Sequence, residues 1–149
     1  MKAIVCKTFG PPESLVLEDV PSRPLGKNEV RIAVKAAGVN FPDTLIIQGK
    51  YQLKAEPPFT PGAEVAGTVI EAGEKVKNVR AGDPAVALVP TGGYAEEVVA
   101  SAEMVMPLPR DMDFKDGEFR ASKYVRLHLL RSHIREKRLS DTLEWMALH

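Results

Sequence analysis

The chain has 149 residues, enough for one domain with its own core, and its 44% hydrophobic and 27% charged content is ordinary for a globular protein. Its formal net charge of zero gives no global reason to expect a nucleic acid or an anionic membrane as partner. A single cysteine, Cys6, excludes an internal disulfide and a multi-thiolate zinc site, and no apolar run approaches a transmembrane span or a secretory signal, so a cytoplasmic location is expected.

Residues 2–8 read as a first strand, carrying β-branched Ile4 and Val5, with Cys6 as a structural thiol among them. Phe9-Gly10-Pro11-Pro12 breaks it, and residues 15–20 form a second strand ended by Pro21 and Pro24. Residues 29–36 alternate: Val30, Ile32 and Val34 point one way, Arg31, Ala33 and Lys35 the other, which is the period of a half-buried strand. After Asn40, residues 41–48 predict a short helix, with Asn40 able to cap, Pro42 in the first turn and Gly49 closing it.

Residues 51–61 form a Pro-rich irregular arm. Strands follow over 64–72, 85–89, 94–100 and 105–108, separated by turns at Gly73, at Ala81-Gly82-Asp83-Pro84 and at Pro90 to Gly93. Many short strands between Gly and Pro turns predict a mainly β, barrel-like domain. From Glu118 onward the character changes. The chain becomes basic, carries all three histidines and the only tryptophan, Trp145, and shows helical spacing over about 122–138. His128 and His133 stand five apart rather than four, which does not place both on one helix face, and no metal is expected there.

The stretch from Ala36 to Gly67 concentrates the chemistry. Asn40 and Asp43 offer hydrogen bonds beside apolar Val39, Phe41, Leu45 and Ile46, and such a pair either satisfies the protein's own backbone or meets a ligand. Glu64 sits between Gly62 and Gly67 at the start of a strand.

Taken in order, MKAIV, EVRIAVKAAGVNFPDTLIIQGKY, PFTPGAEVAGTVIEAGEKVKNVRAGD and GGYAEEVVA resemble the N-terminal GroES-like domain of the medium-chain dehydrogenase/reductase superfamily, in its zinc-independent quinone oxidoreductase branch. The resemblance covers residues 1–117, a GroES-like barrel with short helices; residues 118–149, a basic tail, helical or disordered, do not share it. It implies NADPH delivering hydride to a quinone or enone, with the protein orienting the two partners and excluding water. Zinc-dependent relatives have Cys in place of Asn40 and a His-Glu pair in place of Ala63-Glu64, so no zinc is expected.

By the same resemblance, Asn40 either contacts the cofactor or caps the helix, with ligand contact favoured. Asp43 either orients Asn40 or a water at the cofactor, or is a first-turn carboxylate. Tyr51 lines the substrate side or covers the barrel, and Glu64 anchors a local backbone turn. Leu45 replaces a second Tyr of several relatives. Pro84 stands where Arg is usual, which suits an edge or a first strand position.

The family continues into a doubly wound nucleotide-binding domain. No G-x-G-x-x-G occurs here, so no Rossmann domain is expected in this chain, which reads as truncated. The expectation is a substrate-side domain with little reductase activity unaided. The competing expectation is a non-catalytic module that binds a protein partner, with self-association through an exposed sheet edge.

Overall fold

The computed structural model describes residues 1–109 and 112–114. The expected helix over 122–138, the histidines and the basic tail lie outside the described residues.

Among the described residues, seven strands and one short helix build the fold: β1 (Lys2–Val5), β2 (Val16–Asp19), β3 (Glu29–Ala37), α1 (Phe41–Ile46), β4 (Glu64–Ala72), β5 (Pro84–Leu88), β6 (Glu97–Ser101) and β7 (Val105–Pro107). The main sheet is antiparallel, ordered β6-β3-β4-β5-β7. It curls into a half-barrel, and the β1–β2 hairpin forms a second, two-stranded sheet. The mainly β, GroES-like reading of the sequence therefore holds. Residues 94–96 stitch the two sheets together. Ile4 N–H donates to the Tyr94 carbonyl (2.8 Å), Glu96 N–H to the Lys2 carbonyl (3.0 Å) and Val34 N–H to the Glu96 carbonyl (2.8 Å).

The alternation read in β3 is the one that folds. Val30 and Ile32 are fully buried and Val34 packs against the same cluster, with Val65, Val69, Val79, Val89, Val98 and Val105 completing it. Each such side chain contributes about 1.5–3 kcal/mol by leaving water. The strict period ends after Val34, where the β3–β4 register shifts so that Val34 opposes Gly67 but Ala36 opposes Ala66, leaving Lys35 as the extra residue. The opposite face of the sheet is built on Ala66 and Val86 and is partly covered by Met106, Leu108 and Phe114. Cys6 is fully buried, its Sγ 3.3 Å from the Thr8 carbonyl oxygen, and burial pushes its thiol pKa up.

Several boundaries differ from the sequence reading: among them, α1 ends at Ile46 rather than at 48, and β2 spans Val16–Asp19 rather than 15–20. β1 stops at Val5, because Cys6 leaves the hairpin to bridge with Phe59 of the arm. Tyr94, expected in a strand, precedes β6 by three residues and belongs to the site below. Short 3-10 turns at Pro12–Ser14 and Ala102–Met104 went unread, since three residues leave no periodic signal. Pro84 opens β5, where its missing N–H removes only a rung at the strand's beginning, although β5 itself lies between β4 and β7.

A polar clamp fixes the entry to β3. The Arg23 guanidinium grips Glu29 in bidentate fashion (2.9 and 2.8 Å), and Gly26 N–H donates to the same carboxylate at 2.8 Å. The Arg23 hydrogen bonds first, then the Gly26 N–H, lower the Glu29 pKa to about 2 from 4.5. A depressed carboxylate pKa contributes stability that is present above the unfolded-state value and lost as pH falls through the folded one. Stability is therefore expected to decline between pH 4.5 and about 2, with Glu29 as one contributor. Urea melts across that window should show a shallower decline for Glu29→Gln than for the parent chain; parallel pH profiles would refute the assignment.

Candidate functional site

Gly38 leaves β3 by donating its N–H to the Glu64 carbonyl at 3.0 Å. Two residues later Asn40, extended at φ −117° and ψ 155°, occupies the N-cap of α1. Pro42 suits the first turn, where an N–H has no helical acceptor. At the third helical position, Asp43 turns its carboxylate back onto the cap: Asn40 N–H donates to Asp43 Oδ2 at 2.8 Å.

The Tyr94 hydroxyl donates to the same Oδ2 at 2.9 Å and also lies 3.2 Å from the Gly38 carbonyl oxygen. The carboxylate is the stronger acceptor of the two. Gly62, at φ +94°, clears the space for the Tyr94 ring, because a Cβ there would sit 2.5 Å from Tyr94 Cδ1. Asp43 is thus a first-turn carboxylate and an orienting group at once: it fixes the main chain of Asn40 and ties α1 to the segment before β6.

Asp43 is only 4% exposed, and its second oxygen, Oδ1, has no hydrogen-bond partner. Glu64, the first residue of β4, has the same feature: its Oε2 is buried without a partner. The expectation that the Glu64 carboxylate anchors a local turn is therefore corrected. It is the main-chain carbonyl of Glu64 that receives Gly38, while the side chain is left aimed at the cleft.

Both acidic residues line one cleft of about 310 Å³ with Asn40, Tyr51, Leu53 and Leu88. The three residues singled out from the sequence, Asn40, Asp43 and Tyr51, are thus brought together, and Glu64 joins them. Tyr94 was missed, because its spacing matched a strand and its link to Asp43 spans 51 positions. The Pro-rich arm, with a cis bond between Pro57 and Pro58, carries Tyr51 and Leu53 to the cleft wall.

A larger hollow of about 560 Å³ opens between the hairpin and the main sheet, lined by Val20, Phe59 and Val98 among others. Arg31 on its wall has every nitrogen engaged: Nε with Glu71 (3.0 Å), Nη1 with Ser22 and Nη2 with the Arg23 carbonyl (2.9 Å). That hollow offers apolar surface without an unpaired polar atom of the kind found at Asp43 and Glu64. The chemistry therefore concentrates in the smaller cleft. Among the described residues no three His, Cys, Asp or Glu side chains group as a metal site, and no helix is long and apolar enough to cross a membrane.

Comparison with known proteins agrees with this architecture. The alcohol dehydrogenase GroES-like domain family matches residues 26–110. The quinone oxidoreductase of Sus scrofa is 41% identical over 119 residues, which cover 78% of this chain and 36% of that protein. A probable oxidoreductase from Mycobacterium abscessus superposes with a TM-score of 0.75 at 44% identity, covering 79% of this chain and 37% of the other. The quinone oxidoreductase from Thermus thermophilus, whose structure includes a complex with NADPH, gives a TM-score of 0.67 at 37% identity over 79% of this chain and 36% of that one. The chain spans about a third of the length of the curated relatives it matches. The matched family covers more than half of the sequence, from the turn before β3 to the residues after β7. The chain belongs to the alcohol dehydrogenase GroES-like domain family of the medium-chain dehydrogenase/reductase superfamily.

Proposed function

We propose that residues 1–117 form the substrate-side domain of an NADPH-dependent, zinc-independent quinone or enone reductase, followed by a separate segment over 118–149. The observation that carries this reading is the cleft itself, where Asn40, Asp43, Tyr51 and Glu64 meet within apolar walls. The unpartnered oxygens of Asp43 and Glu64 suit a ligand that brings N–H donors, and the carboxamide of a nicotinamide is such a group. The donor set is poor for zinc, because the cleft offers neither thiolate nor imidazole.

The fit extends to the nicotinamide end alone. No described residue builds the glycine-rich turn at a helix N-terminus that holds a pyrophosphate, and α1 has only six residues. NADPH, when bound, supplies the hydride. The chain's own part is positional. Asn40 contacts the cofactor from the helix cap, Asp43 and Tyr94 hold that cap in place, and Tyr51 with Leu53 shapes the substrate side and excludes water. A cytoplasmic location goes with this reading.

The test is NADPH oxidation, followed by absorbance with quinones and enones, in a form carrying a dinucleotide-binding domain after residue 117. Activity is expected there and not in the 149-residue chain alone. Asn40→Ala and Tyr51→Ala should each lower kcat/KM about tenfold or more. No turnover of either substrate class by the extended form would reject the reading.

A second reading has one observation in its favour. Val39 and Phe41, flanking the cap, are 80% and 75% exposed, which is unusual for large apolar side chains beside a built cleft. In this reading the chain is a binding module whose partner covers that pair, or it self-associates through a sheet edge. A concentration-independent monomer by analytical ultracentrifugation, with no change on Phe41→Ser, would count against it.

A further inference from the structure

We infer that Asp43 and Glu64 make this cleft selective for a positively charged N–H donor, so that it holds the oxidised, pyridinium form of a nicotinamide in preference to the neutral ring. The inference rests on the functional reading above and adds a charge preference to it.

Two observations carry it. The first is the pair of orphaned oxygens. Asp43 is more than nine-tenths buried and lines the cleft, yet its Oδ1 has no partner; Glu64, a partly buried residue, lines the same cleft, and its buried Oε2 likewise has no partner. Buried acceptors left unpaired cost free energy, so a ligand that supplies donors gains what they lack. The second observation is the composition of the wall. The lining holds two carboxylates and not one Lys, Arg or His, the rest being apolar or neutral: Asn40, Tyr51, Leu53, Leu88 and similar residues. Among the described ion pairs, neither Asp43 nor Glu64 has a cationic partner. Tyr94 and the Asn40 N–H engage only Oδ2 of Asp43, and they are neutral donors that leave the negative charge in place. Two carboxylates in a partly water-excluded cleft therefore set up a negative potential with no counter-charge among the described lining residues.

A pyridinium carboxamide answers both needs. Its amide brings N–H donors and its ring brings positive charge, whereas the dihydro ring brings the donors alone. The consequence for reduction is direct. With a dihydronicotinamide bound, Asp43 and Glu64 would supply a fixed negative environment favouring the positive charge that its ring would acquire on giving hydride to the quinone or enone. Asp43 and Glu64 are then electrostatic groups for the hydride donor, and neither transfers a proton.

The test uses the 149-residue chain and two small probes, 1-methylnicotinamide (a permanent cation) and nicotinamide (neutral, with the same carboxamide), titrated by NMR chemical-shift perturbation. The cation is expected to bind about tenfold more tightly, with shifts at Asn40, Asp43 and Glu64. Glu64→Gln should reduce that preference to about twofold or less while leaving weak binding of the neutral probe. Because Asp43 also supports α1, Glu64→Gln is the decisive variant, and its folded state is read from the same spectra. Equal affinity for the two probes, a preference unchanged by Glu64→Gln, or no shift with either probe at tens of millimolar would overturn the inference. The reductase assay is independent of this outcome: activity in the extended form without any cation preference would reject the charge selectivity and leave the functional reading standing.

Discussion

Gly67→Ala is expected to abolish the native sheet or to cost about 3 kcal/mol or more, measured by urea or thermal unfolding followed by circular dichroism. Gly67 lies in β4 opposite Val34, where β3 and β4 run unusually close. A Cβ at this position would stand 2.0 Å from the Ala33 carbonyl oxygen and 2.9 Å from both the Ala33 carbonyl carbon and Ile32 Cγ2. The first two are main-chain atoms of β3, an interior strand, and they cannot move without breaking the ladder to β6 on its other side. Most overpacked positions relieve strain by a side-chain rotation, but here the obstacle is backbone. Gly10→Ala is the comparator, because the added Cβ would meet the hydroxyl end of the exposed Ser14 at 2.7 Å, which can rotate away at the cost of one exposed hydrogen bond to the Pro11 carbonyl. A Gly67→Ala protein that melted with Gly10→Ala would show that β3 and β4 can separate.

The second large effect belongs to Asp43. Asp43→Ala should destabilise the chain by about 2–3 kcal/mol, since it leaves the Asn40 N–H and the Tyr94 hydroxyl without their acceptor. Asp43→Asn keeps an acceptor oxygen and should recover about half of that loss. The coupling is testable. In a double-mutant cycle, Asp43→Ala and Tyr94→Phe should share an interaction energy of about 1 kcal/mol, because they remove opposite ends of one 2.9 Å bond. Strict additivity would mean that the Tyr94 hydroxyl prefers the Gly38 carbonyl, and the tie between α1 and the segment before β6 would need another source.

Local signals in the sequence reached most of the fold. β4 runs over Glu64–Ala72 as its β-branched residues and the flanking glycines announced, and β3 exceeds its expected end by one residue. β3 alternates with period two as far as Val34, so each residue there reports its own face, whereas β4 buries Val65, Ala66 and Gly67 in succession because both of its faces are covered and is marked by β-branched composition instead. What the sequence could not show was long-range pairing. Tyr94 had the composition of a strand residue, but its main chain joins β1 and its hydroxyl reaches Asp43. Glu64 was misread for a related reason. A carboxylate between glycines suggests a turn anchor, and only the packed structure shows that no N–H approaches its Oε2. Asn40, Asp43 and Tyr51 were legible as a group through the resemblance to a family, and all three line the one cleft. The role of each is a matter for the assays above.

The way the two sheets are joined has a consequence for synthesis. Lys2 donates its main-chain N–H to the Glu96 carboxylate across 94 positions, and the interior strand β3 takes β6 as its second neighbour only after β4 and β5 have been made. On the ribosome, β3 and β4 can pair early, but the other flank of β3 stays open until β6 has cleared the exit tunnel. During that interval a valine-rich strand presents unpaired N–H and carbonyl groups to whatever is nearby. The nascent chain is therefore most open to edge-to-edge pairing during that interval, and a pause in translation before residue 97 would lengthen it.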